Sequence, residues 1–354
     1  MGARRHLGRE IGGYRVHELI GEGAMGCVFR ARKRASELEV AVKVLRDELA
    51  EIPSFQQRFL AEIRAAQLVG GKEIVEVFDM GVEPDGITWF AMELLDGGQD
   101  LRALANHGPM PALQGLRLTR LVCEALEALH RVGVVHLDLK PDHVFVTNRS
   151  GAEYARLLDM GIAHVPGFEG CASNDALGTP PYMAPEQILR EPVGPSTDLY
   201  AVGALLFELL TGRLVFQTGS LSSMLAAALY QQPPRVSDHV SLPPVVRARV
   251  DELVLGCLDK QARNRPQSAS ALAGQLRGLE RHLQQQASDS RRPPIPAGQG
   301  GFGTPAHANS GSSRVLMRYA SQSPAHSAAS TARCRVGAPE EKSARLFDSG
   351  PGVA

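Results

Sequence analysis

Gly97 and Gly98 divide this chain into two textures, and the division limits the folds open to it. Before the pair, apolar residues come in short β-like runs. Val16, Leu19 and Ile20 precede a glycine cluster, and Val28 and Phe29 follow it. Val40, Ala41, Val42, Val44 and Leu45 form a compact run broken only by Lys43. After the pair, apolar residues recur at helical spacing: residues 112–131 carry Leu118, Leu121, Val122, Ala125, Leu126 and Leu129 on one broad face. A β-rich segment of about 80 residues ahead of an α-rich segment of about 180 predicts an α+β chain of two lobes with a cleft between them.

Residues 54–69 read as an amphipathic helix, with Phe55, Phe59, Ile63 and Ala66 on one side and Ser54 as its N-cap after Pro53. Residues 74–78 and 87–95 read as strands joined by a turn at Pro84, Asp85 and Gly86. Further helices are predicted over 197–211, closed by Gly212, and over 221–231, 245–259 and 268–284. Residues 1–13 look like a flexible leader. From about Gln285 Pro, Gly, Ser, Ala and Arg dominate, so 283–354 is expected to be a disordered tail that buries too little apolar surface to offset its ordering entropy.

Lys plus Arg equals Asp plus Glu, 38 against 38, which argues against a dedicated nucleic-acid binder and its basic face. The five cysteines, Cys27, Cys123, Cys171, Cys257 and Cys334, include no CxxC pair, so neither a disulfide framework nor a zinc site is expected, and a reducing compartment is. No apolar stretch follows the basic N-terminus, and the apolar run over 199–210 is too short to span a bilayer and contains Glu208. The expectation is a cytoplasmic chain with no transmembrane segment.

Three sets of residues carry chemistry. Gly21-Glu22-Gly23-Ala24-Met25-Gly26, followed by Val28, lies between two β-like runs instead of opening a helix. That context fits a glycine hairpin folded over phosphates, where the backbone approaches oxygen atoms closely. Lys43, inside an apolar strand, is costly to bury unless paired. It is either an edge lysine reaching for water or a phosphate-binding lysine held by a carboxylate, for which Glu62 is the candidate; Glu62 is otherwise a solvated helix charge. The third set is Val135-His136-Leu137-Asp138-Leu139-Lys140-Pro141, then Asp159-Met160-Gly161, then Gly178-Thr179-Pro180-Pro181-Tyr182-Met183-Ala184-Pro185-Glu186.

These elements, in this order and spacing over about residues 14–280, resemble the eukaryotic-type protein kinase family, and within it the bacterial serine/threonine kinases. The resemblance implies a bilobed kinase domain over 14–282, with a small β-rich lobe to about residue 95 that carries one regulatory helix, and a larger α-rich lobe from about 96. It implies transfer of the ATP γ-phosphoryl group to Ser or Thr hydroxyls of protein substrates, with Mg2+ as the metal and autophosphorylation as a further outcome. By the same resemblance Gly21, Gly23 and Gly26 cover the ATP phosphates and Ile20 and Val28 lie against adenine, with Glu22, Ala24, Met25 and Ala41 also in the ATP site. Lys43 contacts the α- and β-phosphates and is paired with Glu62. Met92 stands at the gatekeeper position, and residues 93–95, with Glu93 and Leu95 at their ends, form the hinge. Asp138 accepts the hydroxyl proton, Lys140 neutralises the γ-phosphoryl group and Asp159 binds the metal. Thr179, Glu186 paired with Arg265, and Asp198 are structural.

The chain departs from the family pattern at three places. Leu137 replaces an arginine that commonly binds a phosphate on the activation segment, a segment that here offers Ser173 and Thr179. Met160 replaces a phenylalanine. His143 replaces the asparagine that coordinates a second magnesium; imidazole nitrogen suits that hard ion poorly and manganese better, so partial recovery in Mn2+ is expected. Two alternatives stand beside an active kinase: a pseudokinase scaffold that binds nucleotide without turnover because of His143 and Leu137, and a small-molecule phosphotransferase. The tail arginines Arg291, Arg292, Arg314 and Arg318 suit an acidic regulatory partner.

Overall fold

The computed structural model describes residues 3–23, 25–149, 152–159 and 178–289 of the chain. Its small lobe is a six-stranded antiparallel sheet made of β1 (Glu10–Ile11), β2 (Tyr14–Glu22), β3 (Gly26–Lys33), β4 (Glu39–Leu45), β5 (Val77–Val82) and β6 (Thr88–Glu93), in the spatial order β1-β2-β3-β4-β6-β5. Side-chain alternation along β4 explains both faces. Val40, Val42 and Val44 join Tyr14, Phe29 and Trp89 in one core. On the other face Leu45 and Phe90 pack on Phe59 and Ile63 of the helix α2 (Pro53–Val69), which follows a single turn, α1 (Asp47–Ala50). The rings of Phe59 and Phe90 stand 5.0 Å apart. Lys43 is in register with Phe90, so the same pleat aims it at α2.

Three local expectations need correction. Helix α2 starts at Pro53 with Ile52 as a cap that makes no side-chain bond, so Ser54 lies inside the helix. Proline at the first helical position has a preset φ and no N–H to leave unsatisfied. The strand expected over 74–78 joins the sheet only from Val77 and extends to Val82, while Ile74 makes a separate parallel bridge to Leu157. The expected leader is partly built into the sheet: Ala3–His6 form a 3-10 turn with His6 buried edge-on to Phe29, ring centroids 5.8 Å apart, and Ile11 completes the outer core.

The large lobe packs α4 (Ala112–Arg131), α6 (Pro195–Thr211), α8 (Pro244–Cys257) and α9 (Ala269–Asp289) around one core, with α3 (Leu101–Ala105), α5 (Pro185–Leu189) and α7 (Leu221–Tyr230) at its edges. Helix α6 is buried from Thr197 to Thr211, which accounts for its long apolar run, interrupted only by Glu208 after Leu199. Gly203 permits the close approach of α8, since a Cβ there would lie 2.6 Å from that of Cys257. Helix α9 continues to Asp289, past the expected end, and Leu279 and Leu283 are buried in the core. The tail boundary therefore moves beyond 283, and 290–354 lie outside the described residues. Also unanticipated is a three-stranded sheet of β7 (Gly98–Asp100), β8 (Val144–Arg149) and β9 (Ala152–Leu157), which supplies the floor of the cleft. Both lobes belong to one compact unit. No helix among the described residues is long and apolar enough to cross a membrane. Cys27, Cys123 and Cys257 are buried free thiols; Cys171 and Cys334 lie outside the described residues.

Candidate active site

A cavity of about 740 Å³ opens between the lobes. Ile20, Gly21, Glu22, Gly23, Met25, Gly26, Val28, Ala41, Met92, Glu93 and Leu95 line it from the small lobe and the connecting strand, as do Lys43 and Glu62. Asp138, Lys140, His143, Asp159 and Thr179 line it from the large lobe. Ala24 and Met160 lie outside the described residues, as does Ser173. Glu186, Asp198 and Arg265 sit below the cavity. Phe145 and Leu157 form its floor, and Asp100 and Asp142 its rim; sequence periodicity singled out none of the four.

The roof is the β2–β3 hairpin. Gly23 N–H donates to Gly26 O at 2.9 Å, closing the turn. Gly26 has to be glycine, because a Cβ would come within 2.3 Å of the Val44 carbonyl oxygen. Behind it, Lys43 Nζ donates to both oxygens of Glu62, at 2.8 and 2.7 Å, and to Asp159 Oδ1 at 3.2 Å. Burial works against the ammonium, but Asp159 and Glu62 outweigh it and hold Lys43 above the usual lysine range. One cation thus serves two carboxylates. Burial, reinforced by the Asp159 charge and opposed by Lys43, pushes the Glu62 carboxyl up to about 7.

Across the cavity, Asp198 holds the catalytic loop by its backbone. Its carboxylate accepts from His136 N–H and Leu137 N–H, each at 2.9 Å, while the His130 ring lies 2.8 Å away. Leu137 is buried and adopts a positive φ of 65°, and Asp159 one of 54°, conformations that cost energy away from glycine and concentrate at working sites. Gln187 Nε2 donates to Leu137 O at 2.8 Å. The Thr179 hydroxyl donates to Asp138 Oδ1 at 2.7 Å and accepts from Lys140 Nζ at 2.9 Å; Lys140 Nζ also stands 3.2 Å from Asp138 Oδ2.

His143 Nδ1 lies 2.9 Å from the Asp138 carbonyl oxygen. A carbonyl only accepts, so Nδ1 carries the proton and Nε2 presents a lone pair, 3.7 Å from Asp159 Oδ2. Burial pushes this imidazole down to about 4, against the pull of Asp159 and Asp138. The carboxylate of Asp159 suits a hard cation, whereas the nitrogen of His143 does not suit magnesium. Among the described residues no group of three or more His, Cys, Asp or Glu is placed to hold a metal, so a cation here needs further oxygen ligands from phosphate or water.

Below the loop, Glu186 meets Arg265 in a fork, with bonds of 2.7 and 2.8 Å. Arg265 also donates to the carbonyls of Ser196 and Asp259, and the Thr197 hydroxyl donates to Glu186. Burial raises the Glu186 carboxyl, but Arg265 overrides it and holds the group below its ordinary value. A further ionic cluster escaped the sequence reading. Arg102 donates to Asp142 at 3.2 Å, to Glu208 at 2.5 Å and to the Tyr182 hydroxyl at 2.7 Å, while that hydroxyl donates to Glu208. The lone acid in the apolar run of α6 was its one visible sign.

A protein kinase domain model matches residues 14–276. The chain is similar to serine/threonine-protein kinase Pkn1 of Myxococcus xanthus, 37% identical over 292 residues, covering 80% of this chain and 41% of that protein. It is similar to probable serine/threonine-protein kinase PknB of Corynebacterium glutamicum, 33% identical over 276 residues, covering 76% and 42%. Among solved structures, the PknI kinase domain of Mycobacterium tuberculosis superposes with a TM-score of 0.59 at 27% identity, covering 77% of this chain and 98% of that one. The chain spans about two fifths of the length of these two curated relatives.

Proposed function

This chain belongs to the protein kinase domain family, and from that premise we propose that it transfers the γ-phosphoryl group of ATP to Ser or Thr hydroxyls of protein substrates. The observation that carries the reading is convergence: Lys43, Asp138, Lys140 and Asp159, drawn from both lobes, line one cavity with their partners in place. Phosphoryl transfer asks a protein for positioning and for positive charge near the γ-phosphate, and this arrangement supplies both.

In this reading the glycine hairpin offers backbone N–H groups to phosphate oxygens, and Ile20, Val28 and Ala41 enclose adenine. Met92 borders the adenine site, and the segment 93–95 hydrogen-bonds the base through its backbone. Lys43, oriented by Glu62, binds the α- and β-phosphates. Asp138 orients the substrate hydroxyl and accepts its proton, and Lys140 balances charge on the group in transfer. Thr179, Glu186, Asp198 and Arg265 keep the loop in shape. Mg2+ held by Asp159 neutralises phosphate charge when bound. His143 offers that metal site a nitrogen, which favours Mn2+ over Mg2+. Residues 14–282 form the catalytic unit, the arginines beyond it engage an acidic regulatory partner, and the buried free thiols suit a cytoplasmic setting.

Label transfer from γ-labelled ATP to a generic basic protein, in magnesium and separately in manganese, tests this. The expected result is phosphoserine or phosphothreonine, lost by roughly 10²–10⁴-fold in Asp138→Asn. ATP binding without transfer in either metal would overturn the reading. Recovery of magnesium turnover in His143→Asn is expected; unchanged turnover would remove His143 from the metal site.

A further inference from the structure

The β2–β3 hairpin has little of its own to hold it in place. Gly21, Gly23 and Gly26 bring no side chains, and glycine loses more freedom on ordering than any other residue. A Cβ placed on Gly23 would come no closer than 3.8 Å to a neighbour, the Gly26 carbonyl oxygen, so the tip is loosely packed. The fixing comes from Arg46, which follows β4. Its backbone N–H donates to Met25 O at 3.0 Å, its Nε to Gly23 O at 3.0 Å and a terminal guanidinium nitrogen to Glu22 Oε1 at 2.9 Å. These bonds grip the hairpin on both sides of its tip. Glu22, Gly23 and Met25 line the cavity, and Arg46 acts on the cavity through them. Glu22 also puts a negative charge where phosphates are expected, and the pairing with Arg46 offsets it.

Arg46 is braced in turn. Its carbonyl accepts from Leu49 N–H at 2.9 Å and from Ala50 N–H at 3.0 Å, which fixes it at the head of α1. The next residue, Asp47, pairs with Arg5. Both side chains are exposed, and such a pair is ordinarily weak. This one is oriented: Arg5 Nε donates to His6 Nε2 at 3.3 Å, and His6 is buried against Phe29. A connected set of contacts thus runs from the Ala3–His6 turn through Arg5, Asp47 and Arg46 to the glycine hairpin.

We infer that Arg46 is a positioning residue for the nucleotide phosphates, a latch on the glycine hairpin, and that the Ala3–His6 turn braces the latch. This rests on the kinase reading above, in which the hairpin covers ATP phosphates. A hairpin released from Arg46 has to be ordered by the ligand, and that cost lowers affinity. The loss falls on ligands that carry phosphates. Adenosine, placed against Ile20, Val28 and Ala41 in the same reading, does not call on the tip.

Calorimetric binding of ATP with manganese, and of adenosine, to the full chain tests the latch. Arg46→Met is expected to weaken ATP by about tenfold, the cost of one hydrogen bond from a charged donor, and to leave adenosine unchanged. Arg46→Lys should fall between, since one ammonium lacks the fork that holds Glu22 and Gly23 together. A merely structural role would weaken both ligands alike; that result, or an unchanged ATP affinity in Arg46→Met, would overturn the inference. Arg5→Glu sets two acids against each other and should weaken ATP by about threefold, and adding Asp47→Arg should recover part of the loss. An unchanged affinity in Arg5→Glu, or no recovery in the double variant, would remove the brace. Hydrogen exchange reads the latch without a ligand. The Gly23 amide, bonded to Gly26 O at 2.9 Å, should exchange faster in Arg46→Met than in the wild type; equal exchange would count against the latch. If the wild type binds no ATP, the kinase reading fails, and exchange still decides whether Arg46 holds the hairpin.

Discussion

Each lobe buries an ion pair, and the two are built to different ends. In the large lobe Glu186 and Arg265 meet as a two-bond fork, and every other donor of the guanidinium that forms a bond points to a backbone carbonyl. The carboxyl is held ionised, below its ordinary value. In the small lobe Lys43 is a single point of charge divided between Glu62 and Asp159, and Glu62 is pushed up to about 7. Planar Arg suits a permanent bridge, whereas Lys leaves its bonds open to exchange. The difference teaches that burial alone does not make an ion pair structural; what matters is whether either partner has an alternative state.

The largest break in this comparison is Arg265→Leu. It leaves Glu186 buried and ionised without a partner, so a loss of about 3–5 kcal/mol is expected, read from urea unfolding. Lys43→Met is the counterpart. Glu62 can answer the loss by taking a proton, so the cost in stability is expected to stay near 1 kcal/mol, while phosphoryl transfer falls by roughly 10²–10³-fold. A stability loss matching that of Arg265→Leu would erase the distinction between the pairs. The smallest effect lies in pH. The folded-state pKa of Glu62 is raised from 4.5 to about 7, so the folded protein holds that proton more tightly and its stability declines as pH rises across that window. Glu186 is lowered, so its contribution is complete above the ordinary glutamate range and is lost as pH falls through its folded pKa. Glu62→Gln should therefore flatten the decline between pH 4.5 and 7 in urea titrations and leave the acid limb in place; an unchanged slope would mean that Glu62 does not titrate there.

How much of this was legible beforehand follows from the range of each interaction. A compact apolar run placed Lys43 on a strand, helical spacing placed Glu62 on α2, and the resemblance paired them; the structure has Lys43 Nζ at 2.8 and 2.7 Å from the two Glu62 oxygens. Glu186 with Arg265 and Asp198 under the catalytic loop were legible in the same way. The cluster of Arg102, Tyr182 and Glu208 was not, because its members come from three separate elements and no periodicity links them. The docked turn at His6 was missed for a related reason. Its apolar partner, Phe29, lies two strands away, and basic residues around it read as solvent-facing. The tautomer of His143 needed the position of one carbonyl oxygen, which only the folded loop provides.

The buried thiols turn the contrast between the lobes into something a mass spectrometer can follow. Cys27 lies in the sheet, and Cys123 and Cys257 lie on α4 and α8. Burial pushes all three thiols up, Cys257 to about 12, so in the folded chain they are poor nucleophiles as well as sheltered ones. An alkylating reagent reaches each only when its own surroundings open. The chain thus carries an internal clock for each lobe, and peptide-resolved alkylation rates report which of them breathes first without the addition of any label site.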